Sequence, residues 1–355
     1  MSRSASLNLF ERYRELLARP GEQFPLTLGE GNTPLIHARN LGSKLGLRQL
    51  YLKFEGLNPT GSFKDRGMAL ALNRALTSGA RAVVCASTGN TSASAGAYAA
   101  AAGLPCLVVL PAGYVARGKL AQAEAVGARL VMIDGSFDDA LEVVRQLGTA
   151  DEIAVVNSTN PDRLDGQQTA AWEIIDTLGR APDVLALPVG NAGNITAYWR
   201  GFRSYADAGR GDGRSLPRLA GFQAAGAAPI VDGKIVKYPE TIATAIRIGN
   251  PASWQQAITA RDESGGVIEA VSDEKILAAQ ADIARYEGVF CEPASASSIA
   301  GIRQMAQDGR LQPDETIVAV LTGHGLKDPD ALADSVQQLS VIIPDADAIR
   351  LLLEL

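Results

Sequence analysis

Two open, largely parallel α/β sheets covered by helices are the fold class that this sequence predicts, and three observations carry the expectation. Apolar runs of strand length alternate with helical periodicity from Ala82 to Val156. The same rhythm resumes at Gly166 and continues toward the C-terminus. The junctions where a run hands over to a helix are rich in Gly, Asn and Thr, at Ser87–Thr91 and at Val189–Asn194. Alternation of this kind builds parallel sheets, because each parallel pair needs a helical crossover that then covers a sheet face. A chain of 355 residues has room for two such blocks, the smaller lying within the first half.

Taken in order, Leu9, Phe10, Tyr13, Leu16 and Leu17 mark an amphipathic first helix that Arg19-Pro20-Gly21 stops. Gly29 to Leu35 reads as a turn-rich approach segment, and Leu50–Phe54 as a strand. Asn58-Pro59-Thr60-Gly61 is a turn. The helix after it carries Lys64 in its first turn, with Met68, Leu72, Ala75 and Leu76 on one face and Gly79 at its end. Strands are then expected at Ala82–Ser87, Cys106–Leu110, Leu130–Ile133 and Ile153–Val156, and helices at Thr91–Ala102, Lys119–Val126 and Phe137–Leu147. In the second run, strands are expected at Val184–Leu187, Leu219–Gln223, Val267–Val271 and Ile317–Leu321. The matching helices are Gly166–Leu178, Ile195–Tyr205, Glu240–Arg247, Ala252–Arg261, Asp273–Tyr286, Ala294–Gln307 and Ala346–Leu353. Gly209-Arg210-Gly211-Asp212-Gly213-Arg214 has neither a strand before it nor a helix after it, so it reads as a surface loop and not a dinucleotide fingerprint.

Composition narrows the function. The chain is 46% hydrophobic and 20% charged, with a formal charge of −6, which argues against non-specific nucleic-acid binding. Cys85, Cys106 and Cys291 are scattered through apolar segments and read as core residues. With only His37 and His324, a His-rich zinc site is excluded. The most apolar run, Ala97 to Leu110, is broken by Gly103-Leu104-Pro105, so no membrane span is expected and the cytoplasm is the expected location.

The chemistry gathers at the junctions. A helix N-terminus is electropositive, so a lysine there is pushed toward its neutral form, as it is by burial. A neutral amine condenses with an aldehyde to form a Schiff base. Taken alone, Lys64 reads as an ordinary solvated lysine. Its neighbours change that. Ser87-Thr88-Gly89-Asn90-Thr91 and Gly190-Asn191-Ala192-Gly193-Asn194 each lie where a strand ends and a helix begins, where free N–H groups suit an anion. No Lys or Arg lies within Gly190–Asn194, so a phosphate there is held by backbone donors, unlike a P-loop. A third cluster, Asn157 to Arg163, sets the planar fork of Arg163 beside the neutral donors Asn157 and Ser158, and fits a second phosphate or a carboxylate. Thr322 ends the last strand of the second block and offers a hydroxyl to a ring nitrogen.

These stretches carry a resemblance. Ser62-Phe63-Lys64-Asp65-Arg66-Gly67 resembles the cofactor-lysine motif of pyridoxal phosphate (PLP) enzymes with the tryptophan synthase β-like fold, fold type II. Within that group the chain is similar to the threonine synthases in Gly31–Leu35, Phe54–Met68, Ala86–Ser94, Asn157–Thr169, Pro188–Trp199, Thr241–Pro251 and Glu292–Ser295, nearly its whole length. Dehydratases of the same fold usually carry a run of glycines where this chain has Gly190–Asn194, and a serine/threonine dehydratase is the alternative activity. The segment around His324 departs from the family pattern, and His324 is assigned no role.

The resemblance implies conversion of O-phospho-L-homoserine and water to L-threonine and phosphate, by a cytoplasmic homodimer. It implies a discontinuous large domain, residues 1–60 and 157–355, around a small α/β domain, residues 61–156. Lys64 would be the Schiff-base lysine, and Gly190, Asn191, Ala192, Gly193 and Asn194 would bind the cofactor phosphate. Asn90 would meet the phenolic oxygen and Thr322 the ring nitrogen. Ser87, Thr88, Asn90 and Thr91 would hold the substrate carboxylate, and Asn157, Ser158, Arg163 and Asn191 its phosphate. A neutral Thr322 hydroxyl that donates to the ring nitrogen favours an unprotonated ring.

Overall fold

The computed structural model describes residues 8–112, 117–212 and 216–329. The expected Ala346–Leu353 helix and the end of the Gly209–Arg214 loop lie outside these residues. In chain order the strands are β1 (Leu35–His37), β2 (Gln49–Phe54), β3 (Ala82–Ala86), β4 (Cys106–Pro111), β5 (Arg129–Ile133), β6 (Ile153–Val155), β7 (Val184–Pro188), β8 (Arg218–Ala224), β9 (Val267–Val271) and β10 (Thr316–Leu321). They form a six-stranded sheet in the order β1-β2-β10-β7-β8-β9 and a four-stranded sheet in the order β5-β4-β3-β6. β1 runs antiparallel to β2, and the other pairings are parallel.

The strands read as unbroken apolar runs because both sheet faces are buried. Successive side chains of β7 alternate between two cores: Leu185 and Leu187 join the larger, Val184 and Ala186 the other. On β3, Val83 and Cys85 face that same larger core, while Val84 and Ala86 face a small third cluster with Ala140 and Val144. The larger core is therefore shared by both sheets. Into it pack helices Lys64–Thr77, Asn90–Ala101, Thr169–Leu178 and Gly193–Asp207.

Most expected elements appear within a residue or two, and Phe137–Leu147 keeps its bounds. Three differ for physical reasons. The expected Gly166–Leu178 helix is two helices, Pro161–Gln167 and Thr169–Leu178; the first opens on Pro161 with Asn160 capping the Asp162 N–H at 2.9 Å. The expected Glu240–Arg247 helix is a loop with one short 3-10 turn, Thr244–Ile246. Tertiary acceptors take its backbone donors: Glu240 N–H goes to Gly226 O at 3.0 Å, and Ile242 N–H to Asp273 Oδ2 at 3.0 Å. Finally, the approach segment leads into β1 and a helix at Arg39–Leu45 that periodicity did not mark.

Candidate active site

Lys64 is the first residue of its helix, after Phe63. The turn before it is held by the motif's own acid: Asp65 accepts from Thr60 N at 2.7 Å and Thr60 Oγ1 at 2.6 Å, and from Ser94 Oγ at 2.6 Å. The Phe63 N–H donates to Thr322 O at 3.0 Å, and the His324 N–H to Gly61 O at 2.9 Å, so the lysine turn is stitched to the end of β10. Lys64 keeps partial exposure while its Nζ lies 4.3 Å from the Phe63 ring centroid. Burial, and then the positive charge of Arg163, push the amine down to about 7, against a smaller upward pull from Glu292.

The third motif residue, Arg66, anchors the helix from behind. Its guanidinium meets Glu55 at 2.6 Å and Glu173 at 2.6 Å, and Glu173 also takes Lys53 Nζ at 2.7 Å. Burial alone would raise both carboxyl pKa values, but the Arg66 and Lys53 charges outweigh it and hold them below the usual range. The paired charges tie the Lys64 helix to β2 and to the Thr169–Leu178 helix.

Arg163 sits on the Pro161–Gln167 helix and has no exposed surface. That helix and the Lys64 helix touch through glycines. A Cβ on Gly67 would lie 2.4 Å from Arg163 O, and one on Gly166 would lie 2.3 Å from Arg66 O. The close approach brings the Arg163 charge to bear on Lys64. Arg163 Nη1 donates to Val156 O at 2.6 Å, while its Nε and Nη2 have no partner. Burial lowers its pKa to about 10.

The Gly190–Asn194 loop follows β7 and opens the Gly193–Asp207 helix. Ala192 takes a left-handed conformation at φ 65°, which an alanine adopts only under constraint; the turn gathers successive N–H groups into a concave nest at the helix start. Gly190 lies flat against Ile246, where a Cβ would come 3.0 Å from its Cα. Asn191 donates to Ser158 Oγ at 2.9 Å and accepts from Ala252 N at 2.8 Å, joining this loop to the third cluster. The Asn194 amide nitrogen is buried without a partner.

Ser87, Thr88 and Gly89 link β3 to the Asn90–Ala101 helix, and Thr91 lies in its first turn. Asn157 holds the ends of β3 and β6 together, accepting from Ala86 N at 3.0 Å and donating to Ala86 O at 2.9 Å; its second amide hydrogen remains to offer a ligand. Thr322 is buried, 3.0 Å from Ser295 Oγ and 3.2 Å from Glu292 Oε1. In the sequence, Glu292 and Ser295 belong to a stretch of family resemblance but have no expected role in the site. The available signal was Glu292 directly before Pro293: it occupies a helix N-cap position without making a capping bond. His324 lies between the Phe54 and Phe290 rings and caps the Leu326 N–H.

The carboxyl ends of β3, β6, β7 and β10 thus converge with the Lys64 turn, as ligand sites in open parallel sheets do. Buried polar atoms normally have partners. Here Asn90 Oδ1, Asn194 Nδ2 and two nitrogens of Arg163 do not, and they sit among the expected ligand residues. This set fits PLP and a phosphorylated substrate: an amine whose pKa is brought down to about 7, a backbone nest for one phosphate and a guanidinium for another.

Comparison with known proteins agrees. The family model "Pyridoxal-phosphate dependent enzyme" matches residues 26–323. The threonine synthase of Halalkalibacterium halodurans is 53% identical over 95% of this chain and 94% of its own length. That of Mycobacterium bovis is 56% identical, over 95% of this chain and 93% of its own.

The chain belongs to the threonine synthase family of PLP-dependent enzymes.

Among solved structures, maize serine racemase superposes with a TM-score of 0.72 at 20% identity, covering 86% of this chain and 91% of its own. Threonine deaminase isoform 2 from Solanum lycopersicum gives 0.72 at 22%, covering 89% and 84%. At that distance they share the fold with the threonine synthase family, and the closer sequences carry the activity. No helix of the described residues is long and apolar enough to cross a membrane.

Proposed function

We propose that the protein converts O-phospho-L-homoserine and water to L-threonine and phosphate with PLP carried on Lys64. The observation that supports this reading best is the buried Arg163 guanidinium with two unpartnered nitrogens, separate from the Gly190–Asn194 nest. Two anion sites are one more than a dehydratase of the same fold needs. A buried cation without a counter-ion is costly, and a substrate phosphate offsets that cost.

PLP supplies an electron sink for carbanion chemistry at the substrate. The chain's residues do the rest. Gly190, Asn191, Ala192, Gly193 and Asn194 hold the cofactor phosphate, Asn90 its phenolic oxygen, and Thr322 the ring nitrogen. Ser87, Thr88, Asn90 and Thr91 orient the substrate carboxylate at a helix N-terminus. Asn157, Ser158, Asn191 and Arg163 hold the substrate phosphate until it leaves. Lys64 Nζ, whose pKa is brought down to about 7 so that both the charged and the neutral amine are accessible near neutral pH, sits at the start of its helix and moves protons at substrate Cα and Cβ. Residues 61–156 act as a small domain against 1–60 and 157–355, and the working form is a cytoplasmic homodimer, which sedimentation would test.

The test of the activity is a product assay. PLP-loaded protein given O-phospho-L-homoserine releases phosphate and threonine in equal amounts. Absence of phosphate release, together with turnover of threonine or serine to an oxo acid, would replace this reading with a dehydratase.

A further inference from the structure

Between β8 and the Trp254–Glu263 helix the chain makes a long excursion that returns over the cofactor-phosphate loop. Residues 246–253 close on that loop at both ends. Ile246 lies against Gly190, where a Cβ would come 3.0 Å from the Ile246 Cα. The Ala252 N–H donates to Asn191 Oδ1 at 2.8 Å, and the Ser253 N–H to Asn191 O at 3.2 Å. The Asn191 amide nitrogen donates to Ser158 Oγ at 2.9 Å, so a side chain assigned to the substrate phosphate bridges residues 246–253 and the third cluster. This returning segment therefore borders the anion site that Arg163 serves.

Arg247 stands at the tip of a tight turn in it. The Ile248 N–H donates to Ile246 O at 2.8 Å, and Arg247 between them has φ −74° and ψ 70°, an inverse γ-turn. The turn is held in place, because the Arg247 N–H donates to Thr244 O at 3.3 Å and Thr244 Oγ1 to Asp328 Oδ2 at 2.6 Å. Ile246 and Pro251 are buried, whereas Arg247 and Asn250 are exposed. The Arg247 guanidinium makes no hydrogen bond or ion pair among the described residues.

Charge decides what such a group can do there. An alkyl phosphate carries a charge of about −1.5 to −2 at neutral pH and three strong acceptor oxygens. Arg163 brings one positive charge, and its Nη1 is taken by Val156 O, which leaves Nε and Nη2 for two of those oxygens. Asn157, Ser158 and Asn191 add donors but no charge. The formal charge of −6 also makes the chain as a whole repel a phosphorylated substrate, so a cation on the rim of the site favours encounter.

We propose that Arg247 is a second phosphate-recognising residue, which draws the phosphorylated substrate in and pairs with its phosphate from the solvent side, as Arg163 does from the buried side. It favours phosphate-bearing substrates over hydroxy amino acids that lack the charge. The inference rests on the reading that the substrate is phosphorylated and that its phosphate lies at Arg163 and Asn191.

The test is calorimetric titration of inorganic phosphate into the PLP-loaded native protein, Arg247→Ala and Arg247→Lys, beside steady-state kinetics with O-phospho-L-homoserine at low and high salt. The expected result for R247A is phosphate binding weaker by about three- to tenfold, with a similar rise in KM rather than a fall in kcat. The salt dependence of kcat/KM should flatten in R247A, PLP affinity should match the native protein, and R247K should recover most of the loss. Native-like phosphate binding in R247A overturns the proposal. So does an R247K no better than R247A, or a loss that appears in PLP affinity, which would make Arg247 a support of the Gly190–Asn194 loop. Failure of the underlying reading looks different: Arg163→Ala would leave phosphate binding unchanged and the native protein would release no phosphate from O-phospho-L-homoserine, and the proposal would fall with it.

Discussion

The Phe63 N–H donates to the Thr322 carbonyl at 3.0 Å. Through this bond the turn that presents Lys64 is tied to the strand end that presents Thr322, although the two residues stand 258 positions apart in the chain. The site is therefore a junction of strand ends tied by backbone bonds, and the predictions below test its separate parts.

Arg163→Ala should weaken use of the phosphorylated substrate far more than it weakens PLP binding. Loss of a charge-assisted hydrogen bond costs about 1.5–3 kcal/mol, on the order of ten- to a hundred-fold in kcat/KM. Steady-state kinetics beside a PLP titration check this. Loss of cofactor with an unchanged KM would mean that Arg163 belongs to the cofactor site.

The lowered Lys64 pKa makes the stability of the cofactor-free protein depend on pH. The folded amine titrates at about 7 against an ordinary 10.5, so the unfolded chain binds more protons between those values. Stability from this group therefore rises as pH rises from about 7 to 10.5, and its desolvation cost is fully felt below 7. Denaturation midpoints across this range should climb in the native protein relative to K64M. Parallel profiles for the two proteins would contradict the assignment.

Arg66→Met strands Glu55 and Glu173 as buried acids around one remaining cation, Lys53. Removing one member of such a network costs about 3–5 kcal/mol. Urea denaturation checks it, and a loss below about 1 kcal/mol would show that the network is dispensable.

Gly67→Ala puts a methyl 2.4 Å from Arg163 O, which is backbone and cannot swing aside. Overpacking of this kind costs about 1–3 kcal/mol. The helices must part, so KM for the phosphorylated substrate should rise along with the loss of stability. A normal KM in a destabilised variant would separate this helix contact from the position of Arg163.

What was legible in the sequence follows from where information is local. Strands such as Val184–Pro188 and the glycine-rich junctions are written in short windows, because apolar runs and turn residues act over a few positions. The Lys64 turn and the Gly190–Asn194 loop are legible for that reason. Glu240 to Arg247 misled because its helix-like composition is overruled by Gly226 and Asp273, acceptors distant in sequence. The contacts of Glu292 are hidden likewise. A lone acid before Pro293 reads as an ordinary helix start until the fold sets Asn90 and Thr322 against it.

The central claim is that Lys64 carries the cofactor, and borohydride reduction of the PLP-loaded protein followed by peptide mass mapping tests it most directly. Lys53 and Lys327 are the buried lysines among the described residues, so the map must choose among Lys64, Lys53 and Lys327. The account predicts a visible absorbance band for the loaded protein and a reduced pyridoxyl adduct on the peptide containing Lys64, both absent in Lys64→Ala. A protein that stays colourless with PLP, or an adduct on Lys53 or Lys327 that survives in Lys64→Ala, would contradict it.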